Sequence, residues 1–467
     1  MNQPVGKLSP VAAPPKPLGP GSGPQQQRAF LFLQGPPGPL FRSLGRAIAA
    51  AGVPVYRINL SGGDAYDWPD ATVDFRGRFS QWPVFLDNFL RERGITDLVL
   101  FGDCRPYHVS AHGMAEMRGV RTHVLEEGYL RPHWMTFEPE GVNARSTLSR
   151  DKDWLLEQAR SLPPEPSLPP ITASFKRRAR DAYWYYHHMA TGLFRYPHYR
   201  SHRPGSIVME GIGWLWKFVR QRSRSRAADK ILRQLDGKPL FLLPLQLSGD
   251  FQIRAHSAFP DMKAAATYVI ASFAAHAPDD AFLLLKAHPL DPGFFNWGRF
   301  VRRQAACYAV ADRVRFVDGG DLEEMAKSAR GLVCVNSTSA TLALRYGTPV
   351  CTIGEAIYDM PGLTHQQHLD SFWRNPTPPE PGVYAAFRRV LGERCLVRGG
   401  LASESAVTTL IDSMLERLNL REPPAALSPP AGDGDADPGR VNTLAAAGLR
   451  ARPVGAAPGP LPPRPQQ

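Results

Sequence analysis

The stretch GLVCVNSTSATLALRYGTPVCTIG, residues 331–354, carries the pattern that decides the fold. Two short apolar runs, GLVCVN (331–336) and TPVCTIG (348–354), have the length of buried strands. The segment between them has apolar residues at helical spacing. A strand, a helix and a strand in close succession form a βαβ unit, whose strands lie parallel in one sheet. The stretch therefore predicts an α/β fold.

The same rhythm extends outward in both directions. Further apolar runs upstream are PLFLLPLQ (239–246), FLLLKAHP (282–289) and VRFVDG (314–319), with helical stretches at about 261–276, 321–330, 338–346 and 404–418. The first part of the chain carries AFLFLQ (29–34), VPVYRINL (53–60), ITDLVLF (95–101) and RTHVLE (121–126), with a helical pattern at 40–52. We expect two Rossmann-like domains, each built on a parallel sheet.

The two halves are separated by a Pro-rich break, PPEPSLPP (163–170), and a basic segment rich in aromatic residues. Both ends are rich in Pro, Gly, Ala and Gln, which is typical of disordered tails. We predict a tail at 1–27, a first domain at 28–162, a helical insert at 163–236, a second domain at 237–420 and a tail at 421–467.

Composition and charge limit the class of protein. The five cysteines are widely spaced and form no metal-binding pattern, which favours thiols in a reducing compartment. No run of about 18 apolar residues occurs, and the start of the chain lacks the apolar region of a signal peptide. We therefore expect a protein that is cytosolic or peripheral on a membrane.

The net charge of +12 is concentrated in one segment. Between Lys176 and Arg233, 14 Lys and Arg residues face 3 acidic residues, a local charge of +11. Tryptophans and tyrosines are interleaved with these cations, as suits an anionic lipid surface. A solvated basic helix is the plain alternative, and a nucleic-acid surface is a weaker one.

Ligands of open α/β sheets bind at the carboxyl ends of the strands, so residues just after each apolar run are the candidates for a site. In the second half, Asn336 and the hydroxyls of Ser337, Thr338 and Ser339 begin a helix, where backbone N–H groups bind phosphate. Lys286 and His288 end another strand, and Gln246 and Asp250 follow a third. At each position the alternative is structural: a capping hydroxyl, a buried histidine or a turn aspartate.

The first half offers two further strand ends. Glu126 and Glu127 precede Gly128, and Arg131 follows shortly after, so a carboxylate here could serve as a general base. Gln34 and Gly35 open a glycine turn before the first helix. This turn lacks the spacing of a P-loop or of a dinucleotide-binding motif, although it suits close approach to an acceptor.

These residues fall in blocks that resemble the capsule polysaccharide biosynthesis and export proteins of the KpsS/LipB type. The blocks are FLQGPPGPLF (32–41), FGDCRPYH (101–108), EEGYLRPHW (126–134), PLQLSGDFQIRAHS (244–257), KAHP (286–289), VNSTSATLALRYGTPV (335–350) and GEAIYDMPGLTH (354–365). The resemblance implies a GT-B-like, retaining glycosyltransferase. Its donor would be CMP-β-Kdo, its acceptor a phosphatidylglycerol lipid, and its product the start of a poly-Kdo linker.

The resemblance also implies roles for single residues. His288, Ser337, Thr338 and Ser339 would contact the CMP phosphate, and Asp250 is similar to the carboxylate that attacks the anomeric carbon. We expect Glu127 as base, Arg254 or Arg131 as partner of the Kdo carboxylate, and Lys286 and Gln246 in the donor site. Gln34, Gly35, Glu126, Glu127 and Arg131 would lie on the acceptor side. The resemblance also places such a protein in the cytoplasm, peripheral on the inner face of the inner membrane. Since the donor carries one phosphate, we expect no metal or other cofactor.

Two other functions remain open from the sequence. One is a transferase that uses another CMP- or CDP-linked donor, such as a sialic acid or glycerol phosphate. The other is a non-catalytic adaptor of the capsule export machinery, in which the basic segment would dock to partner proteins. A nucleic-acid partner is not expected.

Overall fold

The computed structural model describes residues 27–130, 133–165, 168–172, 174–201, 213, 217, 221–247, 251–291 and 293–421. Apart from Gln27 and Arg421, the two predicted tails lie outside the described residues. Two of the predicted site residues, Asp250 and Arg131, also lie outside them. The described part of the chain up to residue 421 belongs to one compact unit.

The strands, in chain order, fall into two sheets. They are β1 (Phe30–Phe32), β2 (Val55–Asn59), β3 (Val73–Asp74), β4 (Asp97–Phe101), β5 (Arg121–Glu127), β6 (Trp134–Pro139), β7 (Leu240–Pro244), β8 (Phe282–Lys286), β9 (Val314–Val317), β10 (Gly331–Cys334), β11 (Val350–Thr352) and β12 (Leu396–Arg398). The first sheet has the order β12-β6-β5-β4-β1-β2-β3, and the second has the order β11-β10-β7-β8-β9. The second sheet is parallel throughout, as the sequence predicts.

Helices connect and cover these strands. They are α1 (Leu40–Ala50), α2 (Gly62–Asp67), α3 (Trp82–Glu92), α4 (Pro106–Arg118), α5 (Lys152–Ser161), α6 (Phe175–Thr191), α7 (Gln221–Leu235), α8 (Phe251–Ala255), α9 (Met262–His276), α10 (Trp297–Cys307), α11 (Leu322–Ser328), α12 (Ser339–Arg345), α13 (Leu369–Phe372), α14 (Pro381–Cys395) and α15 (Glu404–Arg417). Their ends follow local chemistry: Pro106 opens α4, and Gly119 closes it with a φ of 66°.

Both sheets are buried on both faces. In β7, Leu242 belongs to one apolar cluster, whereas its neighbours Phe241 and Leu243 belong to the cluster on the other side. In β1, Phe30 and Phe32 face α1, while Leu31 packs with Leu98 on the opposite face. Neighbouring side chains of a strand point to opposite faces, so helices must cover both sides. This is the architecture of two doubly wound α/β halves and confirms the predicted fold class.

The end of the chain returns to the first sheet. Strand β12 pairs antiparallel with β6, with Val397 opposite Met135. Helix α15 then packs on α1, and its Leu410 and Met414 are fully buried in the core of the first half. The sequence assigned residues 237–420 to the second domain, but the part from Leu396 onward completes the first sheet. The pairing partner lies about 260 residues upstream, which leaves no local signal in the sequence.

The predicted insert contains α6 and α7, and α6 lies directly against α2. The contact is close because two glycines face α6: a Cβ at Gly62 would lie 2.2 Å from the His188 carbonyl oxygen, and one at Gly63 would lie 2.7 Å from the Tyr185 ring. Side chains Tyr185 and Met189 of α6 are buried in this contact. The first half therefore holds one face of the basic aromatic helix.

Candidate functional site

The two halves meet at the loops that follow the carboxyl ends of their strands. The hydroxyl of Thr341, on α12, donates to the carbonyl oxygen of Tyr129 after β5, at 2.7 Å. The backbone N–H of Ile357, after β11, donates to Asn143 Oδ1 of the first half at 3.2 Å. Loops from both sheets therefore border one region, and strand-end loops of this kind are where ligands of open α/β sheets bind.

Gln246 joins two neighbouring strand ends of the second sheet. Its amide Nε2 donates to Asn336 Oδ1 at 2.9 Å, and the Asn336 backbone N–H donates to Gln246 Oε1 at 3.3 Å. Both side chains are buried. A buried amide pair of this kind fixes the position of the loop after β10, so Gln246 acts as a positioning residue for that loop.

The hydroxyl cluster at the start of α12 is tightly linked. The backbone N–H and the hydroxyl of Ser339 both donate to Ser337 Oγ, at 3.2 and 2.8 Å. The Tyr358 hydroxyl donates to the Ser337 carbonyl oxygen at 2.6 Å. Thr338 is the N-cap residue but makes no capping hydrogen bond with its side chain. The structure thus brings Ser337 and Ser339 together in the loop that follows Asn336.

His288 follows β8 in a fixed tautomer. Its Nδ1 accepts a hydrogen bond from the backbone N–H of Leu290 at 3.0 Å. A nitrogen that accepts carries no proton, so the proton of the neutral ring sits on Nε2, which can then donate to a phosphate oxygen. Strand β7 lies between β8 and β10, so the strands that lead to His288 and Ser337 are two strand spacings apart, about 10 Å.

The loop that carries His288 is held by Lys217 of the predicted insert. The Lys217 ammonium donates to the carbonyl oxygens of Pro289 and Asp291, both at 2.7 Å, and to that of His288 at 3.4 Å. Lys286, the last residue of β8, is buried, and burial lowers its pKa, an effect that Asp318 and Asp321 oppose. The Lys286 side chain is thus shielded from solvent. Sequence reasoning gave no role to Lys217.

The two adjacent acidic residues of β5 point to opposite faces. The carboxylate of Glu127 pairs with Arg178 at 3.4 Å and lines a small cavity with Ile171 and Leu401, on the side covered by α15. Glu126 lies on the other face: a Cβ at Gly102 would be 4.0 Å from its Oε1. Glu126 is therefore the residue beside the loop after β4, and Glu127 is not.

A cluster at the boundary of the halves was missed from the sequence. The Cys104 thiol, after β4, donates to Asp103 Oδ1 at 3.1 Å, and its sulfur lies 3.8 Å from His256 Nε2 of the second half. Burial lowers the pKa of His256, which Asp103 opposes and Arg145 reinforces. Burial, with Asp103 and Glu126, raises the pKa of Cys104 far above its usual value. Both groups are therefore neutral at pH 7.

The missed residues lie in the sequence blocks that carry the family resemblance. Asp103 and Cys104 belong to FGDCRPYH, and His256 belongs to PLQLSGDFQIRAHS. The strand-end rule could have identified Asp103, because β4 ends at Phe101. It could not have paired Cys104 with a histidine 152 residues away. Arg254, which the sequence predicted as a partner of the Kdo carboxylate, lies on α8 near His256 and is exposed to solvent.

The loop of Gln34 and Gly35 is held by a polar network around the Gln34 side chain. The Gln34 amide Nε2 contacts the hydroxyls of Tyr185 and Tyr199 at 2.9 Å each, and Arg105 donates to Gln34 Oε1 at 3.0 Å. A Cβ at Gly35 would lie 2.9 Å from the Phe41 ring, so internal packing explains this glycine. The network ties the loop at the end of β1 to the basic aromatic helix α6.

Comparison with known proteins supplies the family. The profile described as "Capsule polysaccharide biosynthesis protein" matches residues 96–401, about two thirds of the chain. The chain belongs to this family. Among its relatives is the capsule polysaccharide modification protein LipB of Neisseria meningitidis, 34% identical over 77% of this chain and 88% of the relative. Another is the capsule polysaccharide export protein KpsS of Escherichia coli, 31% identical over 78% of this chain and 94% of the relative.

Solved structures with a similar fold include a β-Kdo 2,7-transferase, KpsC of Thermosulfurimonas dismutans. It is 14% identical, with a TM-score of 0.38, over 82% of this chain and 99% of that one. The MnaA protein of S. aureus, solved with UDP, is 10% identical, with a TM-score of 0.30, over 85% and 98%. In the described part of this capsule-family chain, no helix is both long and apolar enough to cross a membrane.

Proposed function

We propose that this capsule-family protein is a membrane-peripheral glycosyltransferase of the cytoplasm. It would transfer β-Kdo from CMP-β-Kdo to a phosphatidylglycerol lipid and so start the poly-Kdo linker of a capsular polysaccharide. One observation carries the proposal: the Leu290 N–H donates to His288 Nδ1, which puts the ring proton on Nε2, in a residue that follows a strand of the same parallel sheet as the Ser337–Ser339 loop. The family membership supports the capsule role.

The donor phosphate would bind at this edge of the second sheet. In the first step, an oxygen of Asp250 forms a bond to the anomeric carbon, and CMP leaves with the electron pair. His288 Nε2–H, the Ser337 and Ser339 hydroxyls and the start of α12 stabilise the charge that develops on the departing phosphate. The donor carries no diphosphate to bridge, so the proposed reaction needs no metal, and a chelator should leave its rate unchanged.

The second step releases the sugar to the lipid. A glycerol hydroxyl of the acceptor attacks the anomeric carbon, its proton passes to a carboxylate, and the bond to Asp250 breaks. Two inversions give net retention. The sequence predicts Glu127 as the base, but its pairing with Arg178 on the face covered by α15 favours Glu126 for this role. Glu126 lies beside the loop of Cys104, which contacts the second half.

The deciding experiment is product analysis after incubation of the full chain with CMP-β-Kdo and phosphatidylglycerol vesicles. We expect a lipid that carries β-linked Kdo, and none with Asp250→Ala. If the protein turns over CMP-sialic acid and not CMP-β-Kdo, the donor is CMP-sialic acid and the proposed donor is wrong. If cells that carry Asp250→Ala and His288→Ala still form an intact capsule, the protein is a non-catalytic adaptor of the export machinery and not the proposed enzyme.

A further inference from the structure

Helix α6 has one face fixed to the body of the protein. Tyr185 and Met189 are buried against the first half, and the hydroxyl of Tyr185 donates to the buried Asp64 Oδ1 at 3.1 Å. Close packing at Gly62 continues to Gly192, whose Cβ would lie 2.8 Å from the Gly62 Cα. These contacts fix the rotation of α6 about its axis, so they also fix which side chains face outward.

The outward side of α6 carries large apolar groups in solvent. Tyr183 and Trp184 are 62% and 40% exposed, and in the turn after the helix Leu193 and Phe194 are 58% and 99% exposed. We call these four residues the aromatic face. Among the described large hydrophobic side chains, Phe194 is the most exposed. Such groups on a rigid helix are usually part of an interaction surface.

Cations border the aromatic face. Arg180 precedes Tyr183 and Trp184 by three and four residues, and Lys176 precedes them by seven and eight, which places both cations along one side of the helix. Both are exposed, and so is Arg195, next to Phe194. Arg195 also pairs with Asp74 at 2.6 Å, and that pair fixes the turn to the first half. The rings of Tyr183 and Trp184 contact each other and that of His187.

We infer that the aromatic face is a membrane-docking surface, with Leu193 and Phe194 inserted at the headgroup boundary of an anionic bilayer. Aromatic rings prefer this boundary, and Lys and Arg beside them bind lipid phosphates. An apolar protein groove would suit the aromatic face but would not supply the dense anionic groups that a phospholipid surface offers to the exposed cations beside it. The inference deepens the proposed function, because it names the surface that brings the enzyme to its lipid acceptor.

Docking through α6 would also place the acceptor. The buried side of the same helix contacts Gln34 through the Tyr185 hydroxyl at 2.9 Å, at the end of β1. A bilayer held by the aromatic face therefore lies at a fixed position relative to the acceptor side of the cleft. Lipid headgroups could then reach the site without leaving the membrane.

The test is sedimentation of the full chain with vesicles of phosphatidylcholine, with and without phosphatidylglycerol. We expect the wild type to bind the anionic vesicles, and Leu193→Ser/Phe194→Ser to bind them about tenfold more weakly or worse. A matched control is Met117→Ser on α4, whose side chain is 76% exposed on another surface and should leave binding unchanged. Equal binding by Leu193→Ser/Phe194→Ser and wild type would overturn the inference.

Two further readouts separate this result from others. All variants should unfold at the same temperature as the wild type, because Leu193 and Phe194 are exposed. Turnover of a water-soluble, short-chain phosphatidylglycerol should be unchanged in the double variant. If the double variant loses vesicle binding but the wild type shows no transferase activity, the proposed reaction is refuted and the docking surface is still supported. Equal wild-type binding to neutral and anionic vesicles would overturn the role of the cations.

Discussion

At the scale of the residue, the tautomer of His288 is set by a single backbone hydrogen bond. The Leu290 N–H donates to Nδ1, so the side chain can donate only through Nε2. A glutamine places an N–H near the position of Nε2, whereas an asparagine places one near Nδ1. These two substitutions therefore distinguish a donor at Nε2 from a structural histidine.

We expect His288→Ala to lower kcat by about 10²- to 10³-fold, the usual cost of one lost donor to a developing charge. His288→Gln should keep more activity than His288→Asn, because only Gln restores the N–H at the correct position. Steady-state kinetics with CMP-β-Kdo checks this order. Equal rates for the two variants would refute the donor role of Nε2.

The two acidic residues of β5 give a second matched pair. Glu126→Gln should lower kcat strongly with little change in KM for the donor, because a base acts in the transfer to the acceptor. Glu127→Gln should change kcat little, since Glu127 pairs with Arg178 on the face covered by α15. The opposite order of effects would restore Glu127 as the base.

His108 makes stability depend on pH. It is fully buried, its ring nitrogen Nδ1 lies 2.7 Å from the Gly102 carbonyl oxygen, and burial lowers its pKa to about 3. The unfolded chain takes up a proton below pH 6.5, but the folded one does not until about pH 3. The contribution is therefore complete above pH 6.5 and is lost as the pH falls, by about 2 kcal/mol between pH 7 and pH 5.

His108→Asn keeps an N–H donor for Gly102 but does not titrate. Chemical unfolding at pH 7 and pH 5 should show a smaller pH dependence for this variant than for the wild type, by about 2 kcal/mol. Other ionising groups cancel in the comparison. An identical pH dependence in both proteins would show that His108 is not buried in the neutral form.

At the scale of the element, long apolar runs were predictable and short pairings were not. All strands of the second sheet fall within the apolar runs of the sequence, because parallel strands covered on both faces are mostly apolar. Strands β3, β6 and β12 were missed. Strand β3 has two residues and β12 has three, and β6, WMTFEP, mixes polar and apolar residues at the antiparallel side of its sheet.

In the candidate site too, locally encoded features were predictable and long-range contacts were not. The strand-end rule located Gln246, His288 and the Ser337 loop, since each directly follows a predictable strand. Contacts across the two halves, such as Cys104 with His256, depend on how the domains pack, and no local pattern encodes that. The close packing of α6 on α2 is of the same kind, although the Gly62-Gly63 pair was a visible signal.

Substitution at Gly62 tests that packing. Gly62→Ala should lower the free energy of unfolding by about 1–3 kcal/mol, because a methyl group has no room beside the His188 carbonyl. Gly113→Ala in α4 is the control: its Cβ meets nothing within 4 Å, and alanine favours a helix by about 1 kcal/mol. Urea unfolding of both variants should give opposite signs. A stabilised Gly62→Ala would contradict the observed packing.

At the scale of the whole molecule, the last part of the chain belongs to the first core. Leu410 of α15 is fully buried there, about 370 residues after α1. Leu410→Ala should cost about 2–5 kcal/mol, as for other large-to-small changes in a core. Thr408→Ala on the exposed side of the same helix should change the free energy of unfolding by less than about 1 kcal/mol. Similar losses for both would place α15 outside the core.

The late return of the chain also has a consequence during synthesis. At about 5–20 residues per second, a ribosome reaches Leu396 roughly 13–50 s after Trp134. Through that interval the outer edge of β6 has no neighbour to pair with, and Met135 and Phe137 lack the cover of α15. The second half can fold first, while the first half waits for its final strand with an open sheet edge, a feature that favours aggregation.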